Sequence, residues 1–319
     1  MKTRYLQALG VYGYEAVEPI VLAALVTEDP LLLIGKAGTG KTYLLNSLSE
    51  TLNLEHRHYN ASLINFDDLV GFPYPDNDCS EIRYLETPAT VWKAESVLID
   101  EISRCKPEHQ NRLFSLVHER RIQGLPMPAL RYRWAAMNPC NLDQGETDFY
   151  EGSQALDQAL ADRFAFVVQV PDWDELSDQD RLRVSDPRGE GMLSDDGGAL
   201  QERIEQAQHL FRQLLSQLSP GLQDYAVAVA SLLGASGIRL SPRRVRQLTR
   251  NLLAITALNE GQFDDASFRL TLQASIPHPA WGQAPDEATI RSAHRTAWDT
   301  AFSQGREKWL NTFLLEPFL

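Results

Sequence analysis

Leu31-Leu32-Leu33-Ile34-Gly35-Lys36-Ala37-Gly38-Thr39-Gly40-Lys41-Thr42 is the stretch that decides the fold. Pro30 precedes it, and four consecutive apolar residues read as a short, fully buried parallel strand. Gly35 to Thr42 then satisfy G-x-x-x-x-G-K-[ST], the phosphate-binding loop pattern, and Tyr43-Leu44-Leu45-Asn46-Ser47-Leu48 carries on with helical apolar spacing. Strand, glycine-rich loop and helix follow in the order the pattern requires. Backbone N–H groups at a helix N-terminus favour an anion, and glycines let the backbone approach it closely. Lys41 is placed to meet the β- and γ-phosphates, and the Thr42 hydroxyl suits Mg²⁺, which keeps most of its waters. Gly35, Lys36, Ala37, Gly38, Thr39, Gly40, Lys41, Thr42 and the adjoining Tyr43 are the cofactor-binding candidates.

Upstream, Glu18 to Val26 reads as a helix, with Pro19 at its first turn and Glu18 at its positive end. Before it, Tyr12-Gly13-Tyr14 either lines a base pocket or forms an aromatic turn. Downstream, Glu55 to Tyr59 reads as a strand with His56 and His58 on one face. Without a third ligand at suitable spacing, this is a surface strand rather than a metal pair. Residues Asn60 to Pro75 begin like a helix and are broken by Gly71, Pro73 and Pro75; a turn or hairpin follows up to Thr87.

Ser96-Val97-Leu98-Ile99-Asp100-Glu101 is the second decisive stretch, a buried strand ending in two carboxylates. Strand C-termini of parallel α/β sheets face the ligand crevice. Asp100 there suits the metal, and Glu101 suits a general base for an attacking water. Pro107 to Glu119 reads as a helix, Arg120 to Leu130 as a hairpin or loop with its tip near Gly124, and Arg131 to Met137 as a strand ending at Asn138-Pro139. Asn138 either reads the γ-phosphate or the attacking water, or makes an Asn-Pro turn. Gln154 to Phe164 reads as a helix running into a strand at Phe166 to Val170. Arg163 at the junction pairs with a neighbour such as Asp162 or reaches a phosphate across a subunit interface. Asp172 and Glu175 have capping-box spacing. From Leu200 the pattern is helical. Ser241-Pro242 is a helix start, and Arg243 and Arg244 at that N-terminus either meet an anionic partner or lie in solvent.

The 319 residues carry 43% apolar and 23% charged side chains and a net charge of −13. That acidity disfavours nucleic acid as a primary partner. Cys79, Cys105 and Cys140 are odd in number and lack metal-ligand spacing, which fits reduced thiols. Neither an apolar leader nor an apolar run of about 18 residues occurs, so a cytoplasmic chain is expected.

Gly35 to Thr42, Val97 to Glu101, Asn138, Asp162-Arg163-Phe164 and Ser241-Pro242-Arg243, in this order, resemble the MoxR-type AAA+ ATPases of the helix-2-insert clade. The resemblance covers roughly residues 10 to 280. The break at Leu69-Val70-Gly71-Phe72-Pro73 is similar to that clade's insertion, and Arg121 to Leu130 to its later hairpin; in the family both project toward the ring pore or face. The resemblance implies an α/β P-loop NTPase core, an αβα sandwich with a parallel sheet over residues 1–184. A connection at 185–198, a small all-helical lid at 199–280 and a C-terminal helical tail at 281–319 follow. It implies ATP and Mg²⁺ as cofactors, with Thr42 and Asp100 on the metal, Glu101 as catalytic base and Asn138 as phosphate sensor. Arg163 would be a finger given to a neighbouring subunit, and Arg243 a sensor in the lid. It further implies a homo-oligomer, commonly a hexameric ring, remodelling a protein substrate beside a partner with a von Willebrand factor A domain.

The loop has Gly35-Lys36-Ala37-Gly38 where family members more often carry proline. Arg104 is a second candidate for a contact across an interface, ranked below Arg163, and the tail beyond Pro277 matches the family poorly. Two alternatives stand beside the ATP-driven motor: a GTP-using, McrB-like motor and a small-molecule phosphotransferase. The latter has no need of Asn138, Arg163 and Arg243 in this order. The intact Lys41, Asp100 and Glu101 argue against a nucleotide-stabilised scaffold, and no L-S-G-G-Q run points to an ABC-type ATPase.

Overall fold

The computed structural model describes residues 4–78, 82–106, 110, 113–122, 124–140, 153–189, 198–279 and 284–302. Nine strands occur among them: β1 Leu31–Ile34, β2 His56–Asn60, β3 Pro73–Pro75, β4 Ile82–Tyr84, β5 Ser96–Asp100, β6 Arg121–Ile122, β7 Leu125–Pro126, β8 Tyr132–Met137 and β9 Phe166–Gln169. Five form a parallel sheet in the order β2-β5-β8-β1-β9. All four β1 residues and all six of β8 are buried, as strands covered on both faces must be. Each aliphatic side chain so buried contributes about 1.5–3 kcal/mol. β8 also carries Arg133, which is 4% exposed. Its guanidinium is tolerated there because Nε donates to the Val117 carbonyl at 3.0 Å and Nη1 to the Glu28 carbonyl at 2.6 Å.

Two small antiparallel hairpins interrupt the α/β succession. β3 pairs with β4, matching Tyr74 to Arg83, after the helix Phe66–Val70 stops at Gly71. Gly71 has φ 84°, and a Cβ there would lie 2.1 Å from the Leu85 carbonyl oxygen, so the break needs glycine. β6 pairs with β7 around Gly124, as expected from the sequence.

The chain divides into two compact units. The first comprises residues 1–18, 28–164 and 168–201; the second comprises 19–27, 165–167 and 202–319. The second unit is built on the helices Ala199–Ser216, Pro220–Ala235, Pro242–Leu258, Asp265–Gln273 and Glu287–Phe302, most of whose residues it contains. It also takes in Pro19–Thr27, the bulk of the first long helix, where Leu25 accepts a bond from Gln208 Nε2 at 3.2 Å. Buried Asn251 donates to the Ala165 carbonyl at 2.9 Å and to Ser275 Oγ at 2.8 Å. The last helix docks through Trp298 and Phe302, whose rings lie 5.2 and 5.7 Å from Phe268, and through His294 between Tyr225 and Asp265. The remaining aromatic residues of the tail, Trp281, Trp309, Phe313 and Phe318, lie outside the described residues, as does most of 185–198.

Three expected helices form with a different extent or winding. Gln154–Phe164 is helical only over Gln158–Ala161, because Asp157 is its N-cap and accepts from the Ala159 and Leu160 amides. Pro107–Glu119 is helical at each of its described residues, 110 and 113–119, and widens to a π-helix over Ser115–Glu119, closed by Arg120 at φ 53°. Asp172 and Glu175 do form a capping box, but on the one-turn 3-10 helix Trp173–Glu175; the helix proper runs Asp178–Val184. Among the described residues, no helix is long and apolar enough to cross a membrane.

Candidate active site

The loop between β1 and the helix Lys41–Thr51 bends through Gly38 at φ 81° and Gly40 at φ 85°. Both values lie where only glycine is at ease. Lys41 is 7% exposed, and its ammonium is caged by the loop itself. Nζ donates to the carbonyls of Gly35 and Lys36, both at 2.7 Å, and lies 3.5 Å from Thr39 Oγ1 and 3.3 Å from Asn138 Oδ1. Burial pulls its pKa down to about 8, against the opposing pull of the Asp100 and Glu101 charges. Lys36, the loop's other cation, points away from this cage and meets Asp172 at 2.9 Å.

The sheet order explains how distant residues converge. β8 lies between β5 and β1, so Asn138, one residue past β8, falls beside Lys41. Asp100 ends β5 and faces the first turn of the loop helix, where the Thr42 hydroxyl donates to its Oδ2 at 2.8 Å. Its Oδ1 accepts from the Glu101 amide, also at 2.8 Å. Burial would raise the Asp100 pKa, but hydrogen bonds from His58, Thr42 and the Glu101 amide outweigh it and hold the carboxyl below its ordinary range. A hydroxyl and an ionised carboxylate side by side are the hard oxygen donors that Mg²⁺ selects, so Thr42 and Asp100 fit that ion.

Glu101 adopts φ 53°, a left-handed conformation that non-glycine residues hold at a cost of order 1–3 kcal/mol. It starts the short turn Ile102–Arg104, and Arg104 Nη1 returns to its Oε2 at 3.0 Å. Arg104 thus pairs within its own chain with the residue expected to be the base. Arg163 is set otherwise: its guanidinium lies over the Phe114 ring at 4.4 Å and donates to the Ala159 carbonyl at 2.5 Å. Arg243 stands in the first turn of Pro242–Leu258 in the second unit, where Ser241 caps the helix by accepting from the Arg244 amide at 3.0 Å.

A cleft of about 790 Å³ opens along the loop, lined by Tyr12, Tyr14, Gly38, Tyr43, Trp173 and Arg183 among others. The Tyr14 hydroxyl donates to the Thr39 carbonyl at 2.8 Å, and the Arg183 guanidinium lies 5.5 Å from the Tyr12 ring centre. Tyr12 and Tyr14 therefore both line the cleft, and Tyr14 also braces the loop. Sequence reasoning did not find His58 as part of the site. Its Nε2 lies 3.3 Å from Asp100 Oδ2, whereas His56 turns to Ser96 Oγ at 2.8 Å and Asn46 Oδ1 at 3.2 Å. The alternation His56-Arg57-His58-Tyr59-Asn60 puts both histidines on one face but carries no sign of this contact, which depends on the register with β5.

Residues 30–164 match the family described as AAA domain (dynein-related subfamily). This part of the chain is thus similar to an AAA+ ATPase domain. The matched stretch spans the phosphate loop, Asp100, Glu101, Asn138 and Arg163. Over 156 residues the chain is 33% identical to an uncharacterized protein of Staphylococcus saprophyticus, covering 46% of this chain and 58% of that protein. Over 146 residues it is 30% identical to an uncharacterized protein of Staphylococcus epidermidis, covering 44% and 54%. The chain therefore spans little more than half the length of these relatives. A crystal structure from Cytophaga hutchinsonii, described as a candidate ATPase, superposes with a TM-score of 0.62 at 18% identity, over 92% of this chain and 90% of that one. The likeness of fold thus extends beyond residues 30–164 into the helical region.

Proposed function

We propose that the chain hydrolyses ATP in an Mg²⁺-dependent reaction, as an oligomeric MoxR-type motor that remodels or activates a partner protein. The observation that carries the reading is the convergence of Lys41, Thr42, Asp100 and Asn138 beside a tyrosine-lined cleft. Lys41 holds the β- and γ-phosphates in place of the loop carbonyls that now hold it. Thr42 and Asp100 hold Mg²⁺, which when bound neutralises charge on the phosphates. Glu101 takes the proton of the attacking water, and Asn138 orients that water or the γ-phosphate. The cleft takes the base and ribose.

The two inserted hairpins, β3–β4 before β5 and β6–β7 before β8, support the MoxR-type branch. Arg163 acts in trans as the finger, Arg243 reports nucleotide state from the helical region, and the partner carries a von Willebrand factor A domain. The domain boundaries follow the same reading: core to 184, lid from 199, tail from 281.

The test is the hydrolysis rate per subunit against protein concentration, with Mg²⁺, alongside a mass measurement at each point. The expected result is a rate per subunit that rises steeply and levels off as the oligomer forms. A constant rate from a monomer overturns the motor reading in favour of a phosphotransferase. Competition between ATP and GTP, with GTP bound better, would move the reading to a McrB-like motor.

A further inference from the structure

Among the described residues Asp100 is held by three donors, and they come from three places in the fold. The Glu101 amide belongs to its own strand end and occupies Oδ1 at 2.8 Å. The Thr42 hydroxyl comes from the phosphate-loop helix and meets Oδ2 at 2.8 Å. The third donor is His58 Nε2, 3.3 Å from the same Oδ2, and it comes from the neighbouring strand β2. Parallel pairing sets it there: Asn60 lies opposite Asp100 and His58 opposite Leu98. Side chains at i and i−2 of a strand share a face, so His58 leans along β2 toward the end of β5. A carboxylate only accepts, so the neutral imidazole carries its proton on Nε2.

The three donors differ in what they can do once a cation arrives. The Thr42 oxygen has one proton and two lone pairs, so it can keep donating to Asp100 while a lone pair faces the metal. Thr42 then moves with the loop. The Glu101 amide is fixed but reaches only Oδ1. Among the described residues, His58 is the donor that ties Oδ2 to a strand outside the phosphate loop and its helix. Groups that hydrogen-bond a metal-associated carboxylate fix its orientation, and losing one commonly costs about 10–100-fold in metal affinity.

We propose that His58 is a positioning residue for Asp100 and thereby sets the Mg²⁺ concentration at which this site binds nucleotide tightly. The inference rests on the nucleotide-site reading above. Neither the family pattern nor the sequence assigns a role to His58. His56, two residues earlier, takes no part, because both its ring nitrogens are engaged by Ser96 and Asn46.

The experiment is equilibrium binding of a fluorescent ATP analogue to the full chain over a Mg²⁺ titration, for wild type, His58→Ala and His58→Gln, with melting of each nucleotide-free protein. The amide of glutamine can place an N–H near the position of the imidazole Nε2. The expected result is an Mg²⁺ midpoint about tenfold higher in His58→Ala. His58→Gln should return to within about threefold of wild type, and affinity without Mg²⁺ should stay level in all three. An unchanged midpoint in His58→Ala, against a wild type that does respond to Mg²⁺, overturns the role of His58 and leaves the nucleotide reading standing. Equal loss in both variants, with lowered melting and weaker Mg²⁺-free binding, shows a purely structural histidine and also overturns it. A wild type that binds no nucleotide, or binds it without regard to Mg²⁺, overturns the nucleotide reading itself.

Discussion

Arg104 Nη1 lies 3.0 Å from Glu101 Oε2, so the expected catalytic base is tied to a guanidinium three residues further along its own chain. Both side chains are about one-third exposed, at 36% and 31%, so the pair is weak as a stabiliser and matters for where it puts the carboxylate. The left-handed Glu101 backbone starts the turn that brings Arg104 back. Glu101→Gln should bind nucleotide with wild-type affinity and turn it over slower by about 10² or more, the contribution of a general base. Arg104→Ala should also keep its affinity and lose less turnover than Glu101→Gln, because the base survives but loses its anchor. Single-turnover hydrolysis beside equilibrium binding reads both. Wild-type turnover in Glu101→Gln would remove that residue from the chemistry.

Lys41 predicts a pH dependence of binding. Burial lowers its pKa to about 8 in the nucleotide-free protein. Phosphate oxygens favour the charged ammonium, so the bound state holds this proton more tightly. Below pH 8 the proton is already present and affinity is level. Above pH 8 binding must take one up, and affinity should fall by about tenfold per pH unit until the pKa of the bound state is reached. Nucleotide dissociation constants between pH 7 and 9.5 check this. A flat profile would mean that the loop carbonyls hold Lys41 charged throughout.

How much of this was legible in the sequence depended on the range of the contacts involved. Gly35 to Thr42 are readable because loop, strand and helix are adjacent in sequence, and Asp100-Glu101 because an apolar run ends abruptly in charge. Asn138 was placed by its position after a strand, and the order β5-β8-β1 accounts for its meeting with Lys41. His58 was not legible as a site residue, since its role depends on the register between β2 and β5, which no local pattern states. The start of the helix at Gln158 was missed because Leu156 and Leu160 keep helical spacing, while the Asp157 cap overrides it. The left-handed Glu101 and the Lys36–Asp172 pair are likewise products of tertiary contact.

His56 predicts acid lability in the first unit. Burial, then the nearby His58 and Arg57 charges, lower its pKa to about 4. The neutral ring accepts from Ser96 Oγ on Nδ1 and donates from Nε2 to Asn46 Oδ1. The unfolded chain protonates His56 near its ordinary value of about 6.5. Because the folded pKa is the lower one, the unfolded state binds more protons between these values. Stability from this group is complete above about pH 6.5 and declines as pH falls toward 4. His56→Gln removes the titration and keeps a donor, so its denaturation midpoint should fall less steeply than that of wild type between pH 6.5 and 4.5. Parallel curves would assign the acid limb to other groups.

Arg163 predicts complementation between defective subunits. Its guanidinium lies 4.4 Å over Phe114, an attraction worth about 0.5–2 kcal/mol at a partly buried site. An arginine finger is worth about 10³-fold or more in turnover, close to 4 kcal/mol. The smaller energy cannot prevent the larger, so leaving the ring to meet a neighbour's γ-phosphate is affordable within an oligomer. Arg163→Ala should then be nearly inactive alone while still binding nucleotide, and Lys41→Ala should be inactive for want of binding. Mixed, an intact phosphate site on one subunit can meet an intact Arg163 on the next, and activity should reappear with a maximum at intermediate ratios. Hydrolysis measured across mixing ratios decides the matter, because no recovery at any ratio, with mixed oligomers demonstrated by mass, would confine Arg163 to its contacts with Phe114 and Ala159.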